Sequence, residues 1–196
     1  ILVAGLCDGA ADAMYASLLE DLKKKDKRPA LLICSEEKEC VRLRSLLSRL
    51  GLRTDFYVCR DLTFYNITAS HEYEHERLKV LYGILNGEFD VVVTTPDAAL
   101  GYTVPEHVLT ANSMRIDFNR LLNLDETVKK LVDAGYSRVD RVDCAGQFAV
   151  RGGIVDIFSP ATDRPIRAEF FGEELDTMGY FDQDTQRRTE NTDSIV

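Results

Sequence analysis

Asp90-Val-Val-Val-Thr-Thr95, directly followed by Pro96, is the stretch that decides the fold of the first half of the chain. A short apolar run without polar alternation is typical of a parallel strand that is buried on both faces. Further strands are predicted at Ile1–Ala4, Ala30–Cys34 and Phe56–Val58, and amphipathic helices at about 9–25, 36–50 and 71–86. This alternation predicts an α/β domain in which a parallel sheet is covered by helices.

From Met114 onwards the pattern changes to short strands separated by turns. One helix is predicted at Asp125–Ala134, where Gly135 ends it. The strands after it are predicted at Arg138–Val142, Gln147–Arg151, Ile154–Phe158, Ile166–Phe171 and Leu175–Phe181. The sequence therefore predicts two domains, an α/β domain over residues 1–112 and a smaller antiparallel α+β domain over residues 113–196.

The chain is acidic in both halves, with a formal net charge of −9 at pH 7 over 196 residues. An acidic surface is unsuited to broad contact with a phosphate backbone, which argues against a DNA-binding or membrane-binding domain. We interpret the basic cluster Lys23-Lys24-Lys25, with Lys27 and Arg28, as a solvated helix end, with a nucleic-acid patch as the alternative. Five cysteines without C-x-x-C spacing favour reduced thiols in a cytoplasmic protein.

The turn after the first predicted strand has the context of a phosphate-binding loop but not its residues. Gly5-Leu-Cys-Asp-Gly9 leads into a helix, as in the pattern G-x-x-x-x-G-K-[ST], whose backbone amides cradle phosphates. Ala10, Ala11 and Asp12 stand where that pattern has glycine, lysine and a magnesium-binding hydroxyl. A carboxylate at this position repels phosphate, so we predict a relict loop that binds no nucleotide.

His71-Glu72-Tyr73-Glu74-His75 matches H-E-x-x-H, which places two imidazoles on one helix face to bind zinc in a peptidase. Glu74 and Glu76 make this helix turn more charged than a buried zinc helix. Leu78 and Leu81 stand where one extended form of the motif has glycine and a third histidine. A charged first helical turn explains the same letters, so we predict no metal site and keep a zinc peptidase as a minor alternative.

Strand alternation predicts a mixed surface on Ile166–Phe171. Ile166, Ala168 and Phe170 share one face, while Arg167, Glu169 and Phe171 share the other. Arginine and aromatic residues are frequent anchors of protein–protein interfaces. Arg151 ends the neighbouring strand just before Gly152-Gly153, where two glycines indicate a bulge or a close backbone approach. The alternative is an ordinary surface with a cross-strand Arg–Glu pair.

Several stretches resemble the N-terminal region of bacterial transcription-repair coupling factors, and the same region is similar to the excision-repair protein UvrB. The most specific are Gly146–Phe158, Arg167–Asp176 and Phe181–Arg187, and the resemblance continues in Gly135–Asp140, Glu74–Leu78 and Asp90–Thr95. UvrB has an intact phosphate loop and a long aromatic β-hairpin. Here that loop is degenerate, and Asp61–Asn66 leads almost directly into the next helix, which favours the coupling factors.

The resemblance implies a degenerate P-loop, helicase-like first domain and a second domain that docks onto the ATPase UvrA. In this family the UvrA contacts fall on Arg151, Arg167 and Phe171, and Glu169 stands where UvrB-type modules have a contacting acid. The full-length family uses ATP and magnesium to move along double-stranded DNA and displaces stalled RNA polymerase through other regions. We therefore expect a UvrA-recruiting module without catalysis, and a UvrB-like or helicase-like nucleotide-binding domain is the alternative.

Overall fold

The computed structural model describes residues 4–7, 9–59, 72–118, 123–172 and 174–195. The chain divides into two compact units, Ile1–Thr103 and Val104–Val196. The predicted strand Ile1–Ala4 lies almost entirely outside the described residues, and Asp61–Asn66 lies wholly outside them.

Among its described residues, the first unit forms a three-stranded parallel sheet with helices on both faces, in agreement with the predicted α/β class. Its elements are α1 (Ala10–Lys25), β1 (Ala30–Ile33), α2 (Glu37–Arg49), β2 (Thr54–Tyr57), α3 (Glu72–Leu85), β3 (Val91–Thr94) and α4 (Pro96–Leu100). The strand order is β1–β3–β2. Val91 and Val93 pack with residues of α1 and α2, while Val92 packs with Val80 of α3. The central strand is therefore buried from both sides.

The short helix α4 is absent from the sequence prediction, which treats Pro96 only as the end of a strand. Thr95 caps this helix, because its hydroxyl accepts a hydrogen bond from the backbone N–H of Ala98 at 3.4 Å. Proline at the first helical position fits because its missing N–H would have no partner there. Pro96 therefore ends one element and begins the next.

The second unit contains a six-stranded sheet in the order β10–β9–β8–β7–β6–β5. Its elements are α5 (Glu106–Asn112), β4 (Ile116–Asp117), α6 (Leu124–Asp133), β5 (Ser137–Arg138), β6 (Gln147–Arg151), β7 (Ile154–Phe158), β8 (Ile166–Phe171), β9 (Glu174–Phe181), β10 (Arg188–Asn191) and β11 (Ser194–Ile195). The pairings from β6 to β10 are antiparallel, whereas β5 runs parallel to β6. Strands β4 and β11 form a separate antiparallel pair.

One face of the six-stranded sheet forms the core of the second unit. Phe148, Ile157, Ile166 and Met178 are buried on this face and pack with Leu131 of α6. The predicted helix is confirmed within one residue at each end, and the side chain of Asn123 caps it by accepting from Glu126 N–H at 2.7 Å. We call the opposite side of the sheet the outer face.

Two predictions for this unit need correction. The strand expected at Arg138–Val142 is only Ser137–Arg138. The side-chain oxygen of Gln147 accepts hydrogen bonds from the N–H groups of Asp143 and Cys144, which ties the chain into a turn instead of a longer strand. The parallel β5–β6 pairing also departs from the expected all-antiparallel module.

The division between the units falls before α5, whereas the sequence predicts a boundary at 112/113. The difference is the helix α5 itself, which clusters with the second unit. No residue of α5 is buried, so it has no apolar stripe by which sequence periodicity could assign it to a domain.

Candidate functional site

Strand β8 places its alternate residues on opposite sides of the sheet, as predicted. Ile166 and Ala168 are buried in the core, and Phe170 packs against it. A shift in register between Glu169 and Phe170 marks an irregularity in the pairing with β9, yet Phe171 remains outside, with 85% of its surface exposed. A phenylalanine this exposed does not contribute to the core and is available to a partner.

Arg151 joins Glu169 on the outer face through the sheet register. Arg151 pairs with Ile154 of β7, and Ile154 pairs with Glu169 of β8. Arg151 and Glu169 are thus two strands apart, which corresponds to roughly 10 Å between their backbones. The Arg151 side chain is 51% exposed. We call the side chains of Arg151, Phe171 and the half-buried Glu169 the outer patch.

The two glycines after Arg151 make a close backbone approach, as their sequence predicts. Gly152 has a φ of 60°, a left-handed conformation that suits glycine. The carbonyl of Gly153 accepts a hydrogen bond from Phe170 N–H at 2.7 Å. A Cβ atom on Gly153 would lie 2.7 Å from the carbonyl oxygen of Phe170. The turn between β6 and β7 therefore packs tightly against the strand that presents Phe171.

A buried carboxylate that the sequence analysis did not select lies beneath the outer patch. Asp156 of β7 is opposite both Ala149 and Arg167 in the register, and its side chain is 1% exposed. Its Oδ1 accepts from Arg167 Nε at 2.6 Å and its Oδ2 from Arg167 Nη2 at 2.9 Å. Oδ2 also accepts from Nη2 of Arg151. One carboxylate thus connects arginines from two strands.

Arg167 is largely enclosed by its own domain, with a side chain that is 16% exposed. Besides the two bonds to Asp156, its Nη1 donates to the carbonyl of Gln186 at 3.2 Å. Its guanidinium carbon lies 4.8 Å from the centre of the Phe181 ring. The hydrogen bonds that Arg167 donates to Asp156 raise the pKa of Arg167. Of the four predicted site residues, Arg167 is therefore the one that faces its own domain more than solvent.

Arg188 of β10 is a further charged residue on the outer face. The sequence analysis did not select it. Its Nη1 donates to Thr177 Oγ1 at 2.9 Å and lies 3.7 Å from Glu169 Oε1. A Cβ atom on Gly179 would meet Arg188 Nε at 2.6 Å, so this glycine provides the space that the guanidinium occupies. Sequence reasoning missed Arg188 because it did not predict the strand β10.

Asp12, in the first turn of α1, has a partner within the first unit. Gly5 and Gly9 have φ values of 76° and 83°, and Gly9 precedes α1, which begins at Ala10 and continues through Ala11. Asp12 accepts two hydrogen bonds from Arg42 of α2, at 2.7 and 3.0 Å. These bonds lower the pKa of the Asp12 carboxyl. Asp12 is thus ionised and paired at neutral pH.

The H-E-x-x-H motif is only partly described. His71 lies outside the described residues, and Glu72 to His75 fall at the start of α3. Within the part of the chain that the structure describes, no group of three or more potential ligand side chains could hold a metal ion. No helix in the same residues is both long and apolar enough to cross a membrane.

The basic cluster at the end of α1 is largely paired within its own unit. Lys23 Nζ lies 2.9 Å from Asp90, Lys24 Nζ lies 3.7 Å from Asp21, and Arg28 Nη2 lies 2.7 Å from Asp26. A cavity of about 330 Å³ is lined by Lys23, Lys27 and Arg28 of this cluster together with Arg53 and Phe89. These pairings favour the interpretation of a solvated helix end over that of a nucleic-acid patch.

Comparison with known proteins places this geometry in context. Residues 114–196 match the UvrB interaction domain family. The transcription-repair-coupling factor of Bacillus subtilis (strain 168) is 32% identical over 199 residues, which cover 99% of this chain and 16% of that protein. The same factor from Escherichia coli (strain K12) is 26% identical over 188 residues, covering 93% of this chain and 16% of that protein.

The chain therefore spans about one-sixth of the length of these relatives. The matched family coincides with the part of the second unit that contains Asp156 and the outer patch. The resemblance stated from sequence is confirmed along nearly the whole chain. Over nearly its whole length the chain is similar to transcription-repair coupling factors, and its residues 114–196 match the UvrB interaction domain family.

Proposed function

We propose that the second unit recruits UvrA to sites of transcription-coupled excision repair through the outer patch. The observation that carries this proposal is Phe171, 85% exposed on the outer face of a UvrB interaction domain. Glu169 precedes Phe171 by two residues on β8, and Arg151 lies two strands away at the register position of Glu169. The surface thus combines one aromatic anchor with one charge of each sign.

The chemistry of this patch suits a protein partner. An exposed aromatic ring gains roughly 1.5–3 kcal/mol when a partner removes it from water. An arginine beside it adds directional hydrogen bonds to carboxylates or backbone carbonyls. Such aromatic and arginine side chains dominate binding energy at interfaces, whereas surrounding contacts contribute little. The net negative charge of the chain argues further for a protein partner over nucleic acid.

The first unit serves, in this proposal, as a degenerate P-loop scaffold without catalysis. Its loop lacks the lysine that would reach the β- and γ-phosphates, because Ala11 stands there. Asp12 adds a negative charge that is paired with Arg42. ATP with magnesium, double-stranded DNA and RNA polymerase would then engage other parts of a longer cytoplasmic coupling factor.

Titration of purified UvrA onto this chain tests the proposal by calorimetry. Phe171→Ala and Arg151→Ala should each weaken binding by about 2 kcal/mol, which is roughly thirtyfold in Kd. Matched controls are Tyr102→Ala, an exposed aromatic of the first unit, and Arg164→Ala, which pairs with Glu190 and stacks on Tyr180. Both controls should bind UvrA as the wild type does.

Unchanged affinity in both patch variants would refute the proposed surface. RNA polymerase titrated separately distinguishes the remaining alternative, an interaction module for another partner. Binding of polymerase but not UvrA would overturn the assignment of UvrA. Binding of UvrA that only the patch variants weaken would establish it.

A further inference from the structure

Asp156 lies beneath the outer patch in contact with Arg151, and what we infer from this contact rests on the proposed function. Its carboxylate is 1% exposed and is shared by two guanidinium groups. A buried carboxylate requires partners, because an unpaired charge in the interior is costly. The two arginines satisfy that requirement from the strands on either side of β7.

The two arginines play unequal parts in this cluster. Arg167 is fixed on several sides by both carboxylate oxygens, the Gln186 carbonyl and the Phe181 ring. A bidentate pair of this kind also fixes the plane of the carboxylate. Oδ2 then accepts from Nη2 of Arg151, which approaches from β6.

The Arg151 guanidinium group therefore donates to Asp156 on one side and faces solvent on the other. Its side chain is 51% exposed, compared with 16% for Arg167. One Arg151 nitrogen donates to Asp156, whereas a guanidinium group has five N–H donors in total. A half-exposed guanidinium group can still donate to a partner, and fixing a long side chain before binding reduces the entropy lost on association.

We infer that Asp156 is the positioning residue of the outer patch and that Arg167 acts on the partner through this carboxylate, without direct contact. Arg151 makes the contact, and its orientation depends on the Asp156–Arg167 pair beneath it. The charges agree with this arrangement, since two guanidinium groups share one carboxylate and leave one excess positive charge, on the more exposed arginine.

A double-mutant cycle on UvrA affinity tests the inference. Asp156→Asn keeps the size of the side chain but removes its charge, and it should weaken binding about tenfold. In an Arg151→Ala background the same substitution should add less than twofold, because the residue it positions is gone. Arg167→Lys retains a positive charge but loses the bidentate geometry, and it should follow the same pattern with a several-fold effect.

Thermal unfolding of each variant verifies that binding is measured on folded protein. If Asp156→Asn does not fold, Arg167→Lys carries the cycle. In addition, ¹⁵N relaxation of the Arg151 Nε in the unbound wild type reports its order directly. An ordered group is expected, and an order parameter below about 0.6 would overturn the inference without any substitution.

The outcomes separate this inference from the proposed function. If Phe171→Ala and Arg151→Ala bind UvrA normally, the proposed function fails. If those two weaken binding but Asp156→Asn leaves it unchanged, only the positioning role is refuted. A further tenfold loss from Arg167→Lys in the Arg151→Ala background would show that Arg167 contacts UvrA itself.

Discussion

Arg42 of α2 holds Asp12 of α1 by two hydrogen bonds, from Nη1 to Oδ2 at 2.7 Å and from Nη2 to Oδ1 at 3.0 Å. In an active phosphate loop the position of Asp12 has a hydroxyl that binds magnesium. Here the same position has a carboxylate whose pKa is lowered by its arginine partner. The Asp12 carboxylate is therefore ionised at neutral pH and its charge is compensated by Arg42.

We predict that Mg-ATP leaves the melting temperature of this chain unchanged. A nucleotide that binds only the folded state raises Tm with concentration, so a thermal-shift titration up to millimolar Mg-ATP measures the effect. Asp12→Ala should cost at most about 1 kcal/mol, since Arg42 is half-exposed and such pairs contribute little. It should not create nucleotide binding, because Ala11 still replaces the lysine. A dose-dependent rise in Tm would contradict the degenerate loop.

Two phenylalanines of the second unit should respond in opposite ways to truncation. Phe148 is fully buried in the core, with 0% exposure, whereas Phe171 is 85% exposed. Phe148→Ala should lower the free energy of unfolding by about 3–5 kcal/mol. Phe171→Ala should change it by less than about 0.5 kcal/mol while reducing UvrA binding. Urea denaturation measures both, and a large loss of stability in Phe171→Ala would assign that ring to the fold.

The sequence predicted most of this fold because its elements have clear periodicity. The apolar run at Asp90–Thr95 correctly indicates a strand buried on both faces, and β6, β7 and β8 begin and end where predicted. The two-residue strands β4 and β11 were missed, since alternation cannot be recognised over so few residues. Their pairing joins residues that are far apart in sequence.

The sequence predicted which side chains of the candidate site share one face of β8, but it did not predict how deeply each side chain is buried. Alternation places Arg167, Glu169 and Phe171 on one side of β8, yet it treats the three as equally exposed. Only the tertiary structure shows that Asp156 draws Arg167 inward while Phe171 stays in solvent. A lone carboxylate in the apolar run Ile154–Phe158 was the available signal, because a charge within a buried strand requires a partner.

Gly153 should tolerate no side chain, because a Cβ atom there would lie 2.7 Å from the carbonyl oxygen of Phe170. Gly153→Ala must separate β7 from β8, at an expected cost of about 1–3 kcal/mol. Gly135→Ala is a suitable control, since its φ of 90° is strained for alanine but its Cβ would meet open space. If Gly153→Ala unfolds at the same urea concentration as the wild type, the close approach at Gly153 does not constrain the sheet.

The last prediction concerns Asp90, whose side chain is 3% exposed and accepts hydrogen bonds from both Arg53 and Lys23. These partners, with the N–H of Arg53, hold the pKa of Asp90 well below its ordinary range. A depressed carboxyl pKa stabilises the fold fully above the unfolded value of about 3.9 and loses this contribution as pH falls through the folded value. The first unit should therefore lose stability as the pH falls below about 5.

Asp90→Asn should lower the free energy of unfolding by about 1–2 kcal/mol at pH 7, less than for a fully buried pair, because Lys23 and Arg53 are half-exposed. The difference from wild type should shrink at pH 3, since there the unfolded carboxyl is protonated. Asp26→Asn is the matched control, because Asp26 lines the same cavity and pairs with Arg28 at the surface. Urea denaturation at both pH values measures the effect. A wild-type advantage that stays constant from pH 7 to pH 3 would show that Asp90 contributes through packing and not through its charge.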